Sequence, residues 1–240
     1  MSADPRTGAA AQAPHAGPAP WSLVVPVKAL PDAKSRLGPS LDPGRRRGLV
    51  LAMLSAVLDA CRAAALVERT AVVTADPEVV AHARAHGAAH VPDRVPAGHP
   101  DPLNTALRAA LPARPRRPVG VVTADLPELG PELLDTVLRE AARDPHSVLP
   151  DHTGVGTTMA FWTPRASGVH PRFGPGSAAA HVELGGAVDL APVLGDVLGS
   201  ALGAARRDVD TPADVARLGP RTVLATPGPA PASDGGQWRA

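Results

Sequence analysis

Residues 21–38 read WSLVVPVKALPDAKSRLG, and the fold follows from how this stretch divides. Trp21–Val27 is a valine-rich apolar run of the length of a buried strand. Lys28–Gly38 then carries lysine, proline, aspartate and arginine, the composition of a loop. The same alternation recurs downstream. Arg45–Ala65 has apolar residues at Leu49, Ala52, Met53, Ala56, Val57 and Ala60, a helical spacing. Thr70–Thr74 (TAVVT) predicts a second strand, Pro77–His86 a helix and Ala89–Val91 a short strand. Leu103–Leu111 predicts a helix, Val119–Thr123 (VGVVT) a strand and Pro131–Arg143 a helix. Ser147–Leu149 and Thr157–Trp162 predict further strands. Thr211-Pro212-Ala213-Asp214 starts a last helix, with Thr as N-cap and Pro at the first position. Alternating strands and helices imply a parallel α/β sheet.

Residues 1–20 are rich in Ala, Pro and Gly and are expected to be disordered. The same composition returns from Gly219, which predicts a flexible tail over 219–240 with Trp238 a stray aromatic. One domain over 21–218 is expected. The N-terminal stretch lacks an apolar h-region, and no apolar run approaches the ~20 residues of a membrane span. A cytoplasmic protein with no membrane partner is the expectation.

Lys+Arg is 24 and Asp+Glu 23, so the net charge of +1 argues against a phosphate backbone as the main partner. A nucleic-acid module would also want stacking aromatics, and there are no Tyr and 2 Phe. A single cysteine excludes a disulfide framework or a multi-cysteine metal site. Residues with A/T-rich codons are nearly purged, as a GC-rich genome would do. Lys survives only at 28 and 34 and Asn only at 104. A lysine kept where arginine is the default suggests a need for a compact ammonium.

In open α/β sheets ligands bind beyond the carboxyl ends of the strands. After the first strand, Lys28, Lys34 and Arg36 on one loop form a natural polyphosphate clamp, although no Walker glycine cradle is present. After Val119–Thr123, Asp125 stands before Leu126-Pro127, a position suited to a Mg²⁺ ligand. Asp76 after the second strand reads as an N-cap instead. Asp208 and Asp210 alternate along an extended segment and share a face, so with Asp125 they could complete a divalent cation site; charge at a helix N-terminus competes on equal terms. Asn104, whose amide both donates and accepts, suits a base edge or ribose, with helix capping as the bland reading. Two Gly turns bearing hydroxyls, Gly154–Thr158 and Phe173–Ser177, could hold an anion, and Ser177 begins an Ala-rich helix. Most of the nine histidines are expected at the surface, in no ligand spacing. Neither a GxSxG elbow nor a Cys/His signature is visible, so hydrolase chemistry is not expected.

Taken in order, VPVKALPDAKSRLG, DPLNTAL, TADLPEL, GTT, FGPGSAAAH and RRDVDTPADVARLG resemble the guanylyltransferases of coenzyme F-420 biosynthesis. These are the phosphoenolpyruvate and 2-phospho-L-lactate guanylyltransferases, and the resemblance runs through most of residues 22–218. It implies a Rossmann-like nucleotidyltransferase domain of the nucleotide-diphospho-sugar transferase type, with a mostly parallel mixed sheet flanked by helices. It also implies GTP and a small phosphorylated three-carbon acid as substrates, Mg²⁺ as cofactor, and a guanylylated acid and pyrophosphate as products.

Carried over by residue, Lys28, Lys34 and Arg36 match the triphosphate-binding loop, and Leu103 and Asn104 the nucleotide-side motif. Asp125, Asp208 and Asp210 match the metal-binding acids. Thr157, Gly174 and Ser177 match positions holding the phospho-acid. The chain reads GVGTT where relatives tend to read GTGT, which keeps Thr158 open beside Thr157. The GC-rich composition resembles actinobacterial members, which are associated with phosphoenolpyruvate. A molybdenum-cofactor guanylyltransferase would instead want a Gly-rich first loop. Oligomeric state is not fixed by the sequence.

Overall fold

Strand β1 (Trp21–Pro26) lies mid-sheet because its apolar side chains are buried on both faces. The structure, a computed structural model, describes residues 19–38, 40–224 and 238. β1 pairs in parallel with β2 (Val67–Thr74) on one side and β4 (Val119–Val122) on the other. β3 (Ala89–Pro92) continues the first side in parallel. Beyond β4 come β6 (Thr157–Trp162), β5 (His146–Pro150) and β7 (Val188–Asp189), giving the order β3-β2-β1-β4-β6-β5-β7. β6 runs antiparallel to both β4 and β5. The sheet is therefore mixed, not purely parallel. Residues 151–156 are too few for a parallel crossover, which takes about a dozen or more residues, so β5 and β6 must form a hairpin.

Prolines start the helices. α1 (Pro43–Ala63), α2 (Pro77–Ala85), α3 (Pro102–Ala110) and α4 (Pro131–Ala141) each carry Pro in the first turn, where no N–H partner is lost. Asp42 and Asp76 cap α1 and α2; Asp76 accepts from the N–H groups of Glu78 and Val79, as expected for an N-cap. Alternation along the strands splits the core. Leu23, Val25, Phe161 and Met159 face the layer of α1 and α4, whereas Val24, Val121, Ala160 and Trp162 face α3. Gly120 of β4 lets Phe161 lie flat on the sheet: an added Cβ would meet the Phe161 ring at 2.6 Å.

Other elements differ from expectation. The SAAAHVEL helix is one α turn, α5 (Ser177–Ala179), that continues as a π-helical turn over Ala180–Leu184. α6 (Ala191–Leu198) and α7 (Gly203–Arg206) then lead to α8 (Pro212–Leu224). Thr211 and Asp214 cap α8 reciprocally: Thr211 N–H donates to Asp214 Oδ2 at 2.8 Å, and Asp214 N–H to Thr211 Oγ1 at 3.3 Å. α8 overruns the expected boundary at 218. Trp238 is not stray: its indole N–H donates to the Ala110 carbonyl at 3.2 Å, a free acceptor at the end of α3, and Arg69 lies over its ring. The expected N-terminal disorder and most of the expected tail lie outside the described residues. Histidines 86, 146 and 181 are buried rather than at the surface. Among the described residues, no helix is long and apolar enough to cross a membrane.

Candidate active site

From β1 the chain moves outward to β2 and β3; it then returns to place β4 on the other side of β1. The loops leaving the carboxyl ends of β1 and β4 thus diverge at a topological switch point, where a ligand crevice forms. Lys34, from the β1 loop, and Asp125, from the β4 loop, meet there. Lys34 Nζ donates to Asp125 Oδ2 at 2.5 Å and to Asp210 Oδ1 at 2.6 Å. The backbone of Lys34 is left-handed (φ 52°), a conformation costing a non-glycine residue about 1–3 kcal/mol that neighbouring contacts must hold in place. Those contacts are its two ion pairs and the tether of Leu30 N–H to Asp76 Oδ2 at 2.9 Å. Asp76 therefore caps α2 and anchors the lysine loop, a role the sequence reading missed.

Asp125, Asp208 and Asp210 offer carboxylate oxygens that all lie within 4.8 Å of one another. Among the described residues, no other three His, Cys, Asp or Glu side chains converge this way. Burial and then the charges of Asp125 and Asp210 push the Asp208 carboxyl up to about 6, with Lys34 opposing. Burial lowers the Lys34 pKa, but the carboxylates of Asp125 and Asp210 outweigh it and raise the pKa above the usual lysine range. Asp125 Oδ1 is buried without a hydrogen-bond partner. An all-oxygen, anionic donor set with one carboxylate oxygen unspent fits a hard divalent cation such as Mg²⁺ or Mn²⁺. Arg36 reaches Asp210 at 3.5 Å from the rim, and Lys28 is exposed and unpaired among the described residues. The three cations thus separate, with only Lys34 set among the carboxylates.

The facing wall comes from the β5–β6 turn. The Asp151 carboxylate accepts from the Thr153 hydroxyl and from the N–H groups of Gly156, Val155 and Thr153, which folds residues 151–156 around it and holds its pKa below the usual carboxylate range despite burial. Arg206 clamps the Pro150 and Asp151 carbonyls, and His152 Nδ1 lies 3.7 Å from Asp208. Asp151 and Arg206 were missed in the sequence; the Asp-x-Thr-Gly turn composition was the available signal. At the start of β6, Thr158 spends its hydroxyl on the Leu149 and Ala205 carbonyls, whereas Thr157 Oγ1 is buried and unpartnered. The Gly174–Ser177 turn is stitched to this wall by Ala178 N–H, which donates to the Val155 carbonyl at 3.1 Å. Gly174 (φ 129°) and Gly176 (φ 70°) hold backbone angles that favour glycine. Leu103 packs against the apolar layer beneath α3. Asn104, expected at a base edge or ribose, has its amide buried and engaged with Asp101 and Phe173.

Ser55, His86 and Asp59 form a hydrogen-bonded chain away from this crevice. Ser55 is buried and donates its hydroxyl proton to the Leu51 carbonyl, so the chain is a polar tie between α1 and α2, not a nucleophile.

A mixed sheet with an acidic cluster and a lysine at its switch point, faced by glycine turns, defines an α/β enzyme of the nucleotidyltransferase class. The family model described as "Guanylyl transferase CofC like" matches residues 21–218. The chain belongs to that family and is a guanylyltransferase. Its relatives include proteins named phosphoenolpyruvate guanylyltransferase from Streptomyces scabiei and a Mycobacterium species. The first is 42% identical over 214 residues, covering 85% of this chain and 95% of the relative. The second is 44% identical over 212 residues, covering 85% and 89%. Among solved structures, a Methanothermobacter nucleotidyl transferase superposes with a TM-score of 0.45 at 16% identity, covering 82% of this chain and 95% of that one. A Mycobacterium tuberculosis protein in complex with manganese superposes at 0.45 and 22% identity, covering 84% and 98%.

Proposed function

We propose that this guanylyltransferase moves GMP from GTP to the phosphate of phosphoenolpyruvate, giving enolpyruvoyl-2-diphospho-5′-guanosine and pyrophosphate in coenzyme F-420 biosynthesis. The observation that carries this reading is the identity above 40%, over 85% of the chain, to relatives named for that substrate. A phosphate oxygen of the acid attacks the α-phosphorus of GTP, that P–O bond forms, and the bond to pyrophosphate breaks. The attacking oxygen is already ionised, so no general base is needed. The protein's task is to hold two anions together against their repulsion.

Lys34, Arg36 and Lys28 lie on the loop that would meet the triphosphate, with Lys34 innermost. Leu103 would line the nucleotide side at the start of α3. Asp125, Asp208 and Asp210 would hold Mg²⁺, which when bound neutralises charge on the phosphates. Thr157, through its unspent hydroxyl, and Ser177, with the Gly174 backbone, would receive the carboxylate and phosphate of the acid. GTP and the three-carbon acid are then the partners, without nucleic acid or membrane, in the cytoplasm.

The test is incubation with GTP and Mg²⁺ and either phosphoenolpyruvate or 2-phospholactate, followed by mass analysis. A product carrying the enolpyruvoyl group is expected. Turnover of 2-phospholactate alone would move the chain to the other branch of the family.

A further inference from the structure

Asn104 is tied to a residue 69 positions away. Its Oδ1 accepts from the Phe173 N–H at 2.7 Å, and its Nδ2 donates to the Phe173 carbonyl at 2.8 Å. A second donation from Nδ2 reaches Asp101 Oδ1 at 2.8 Å. One planar amide thus takes both backbone groups of a single residue, as a neighbouring strand would, and fixes where that residue sits and how it is turned. Asn104 is only 7% exposed. Phe173 leads directly into Gly174-Pro175-Gly176-Ser177. An added Cβ on Gly174 or Gly176 would meet nothing within 4 Å, so the tip of this turn has no packing of its own and its ends set its position. Asn104 holds the leading end, helped by His181 Nε2, which accepts from Arg172 N–H at 3.3 Å. Ala178 N–H holds the trailing end. Behind Asn104, Arg108 pairs with Asp101 at 3.1 Å and fastens the bracket to α3.

We infer that Asn104 is a positioning residue for the acceptor turn, fastening α3 to Gly174–Ser177, and not a contact to the nucleotide. This rests on the reading of that turn as the phospho-acid's site. The requirement for asparagine is chemical. Aspartate has the shape but no donor, and would set a carboxylate oxygen against the Phe173 carbonyl and Asp101.

Asn104→Asp and the milder surface change Arg108→Ala test this by two readouts. The first is the pair of KM values. For Asn104→Asp the KM for phosphoenolpyruvate should rise about tenfold and that for GTP less than about twofold; Arg108→Ala should raise the acid constant about two- to threefold. The second needs no substrate: trypsin should cut after Arg172 faster in both variants than in the wild type, because the bracket that holds Phe173 is loosened. A rise confined to the GTP constant, an equal rise in both constants, or an unchanged rate of cleavage after Arg172 would overturn the inference. Wild-type protein that turns over neither acid would sink the functional reading instead, and the cleavage arm would still decide the role of Asn104.

Discussion

Replacing Lys34 by methionine keeps the stem and removes the charge, and the structure sets the size of the effect. The ammonium lies 2.5 Å from Asp125 Oδ2 and 2.6 Å from Asp210 Oδ1. Lys34 and Asp125 are 14% and 20% exposed, but Asp210 is 41% exposed. Removing one partner of a fully buried pair costs about 3–5 kcal/mol, and of an exposed pair about 0–1. The Asp125 pair sits nearer the first limit, and the Asp210 pair is discounted for solvent, so about 2 kcal/mol is expected in metal-free protein. For a chain of this length that is about 4–8 °C in Tm. The ammonium and a divalent cation draw on the same carboxylate charge, so Mg²⁺ should raise the Tm of Lys34→Met more than that of the wild type. Turnover should nonetheless fall by about 10²–10³-fold, as when a transition-state charge contact is lost. The assay is a pair of thermal melts, in chelator and in saturating Mg²⁺, beside a pyrophosphate-release rate. An unchanged Tm in chelator, or equal Mg²⁺ increments in both proteins, would refute the competition.

Asp125→Asn exchanges an anionic oxygen for a neutral amide and should weaken Mg²⁺ binding by roughly tenfold or more in a calorimetric titration. Thr157→Val should raise the KM for phosphoenolpyruvate by roughly tenfold with little loss of Tm, whereas Thr158→Val should lower the Tm by removing the buried hydroxyl proton that the Ala205 and Leu149 carbonyls share, and leave both KM values in place. Burial, and then His146 and Arg172, hold the His181 pKa down at about 3 against an ordinary 6.5. Between those values the unfolded chain binds a proton that the folded chain does not, so stability should fall as pH drops below about 6.5, by at most about 1.4 kcal/mol per pH unit from this group. Melts from neutral pH to about pH 5 should show a shallower slope for His181→Gln, and identical slopes would count against the assignment.

Those parts of the site that depend on local sequence could be read from it. Strand β1 and its loop, Asp125 after β4, and the helix starts at Pro77, Pro131 and Pro212 each follow from a short run of residues and one general rule. The parts that depend on tertiary partners could not. Nothing near Asn104 says that its amide will meet Phe173, and nothing in residues 28–38 says that Lys34 will turn into the carboxylates while Lys28 stays in water. The choice between Thr157 and Thr158 rests on a bonding pattern that only the Ala205 carbonyl, from another segment, completes. The direction of β6 was different: the short connection over 151–156 already carried the answer. Trp238 escaped because a lone aromatic in a Pro/Gly-rich stretch gives no periodicity, and its partners are the end of α3 and Arg69.

The charge count at the switch point ties these pieces together. Asp125, Asp208 and Asp210 bring three negative charges when ionised, and Lys34 returns one. Arg36, 82% exposed, is too well solvated to return much of another. The remainder is two negative charges in a half-buried crevice, and the raised pKa of Asp208 is its symptom: burial and two neighbouring carboxylates already favour putting a proton there. One divalent cation matches that remainder. Across the crevice the facing turns add hydroxyls and backbone N–H groups, which are neutral donors. Such a wall can receive a substrate that carries its own negative charges without adding to the charge count, which leaves the balance of the site to Lys34, the three aspartates and the ion they would hold.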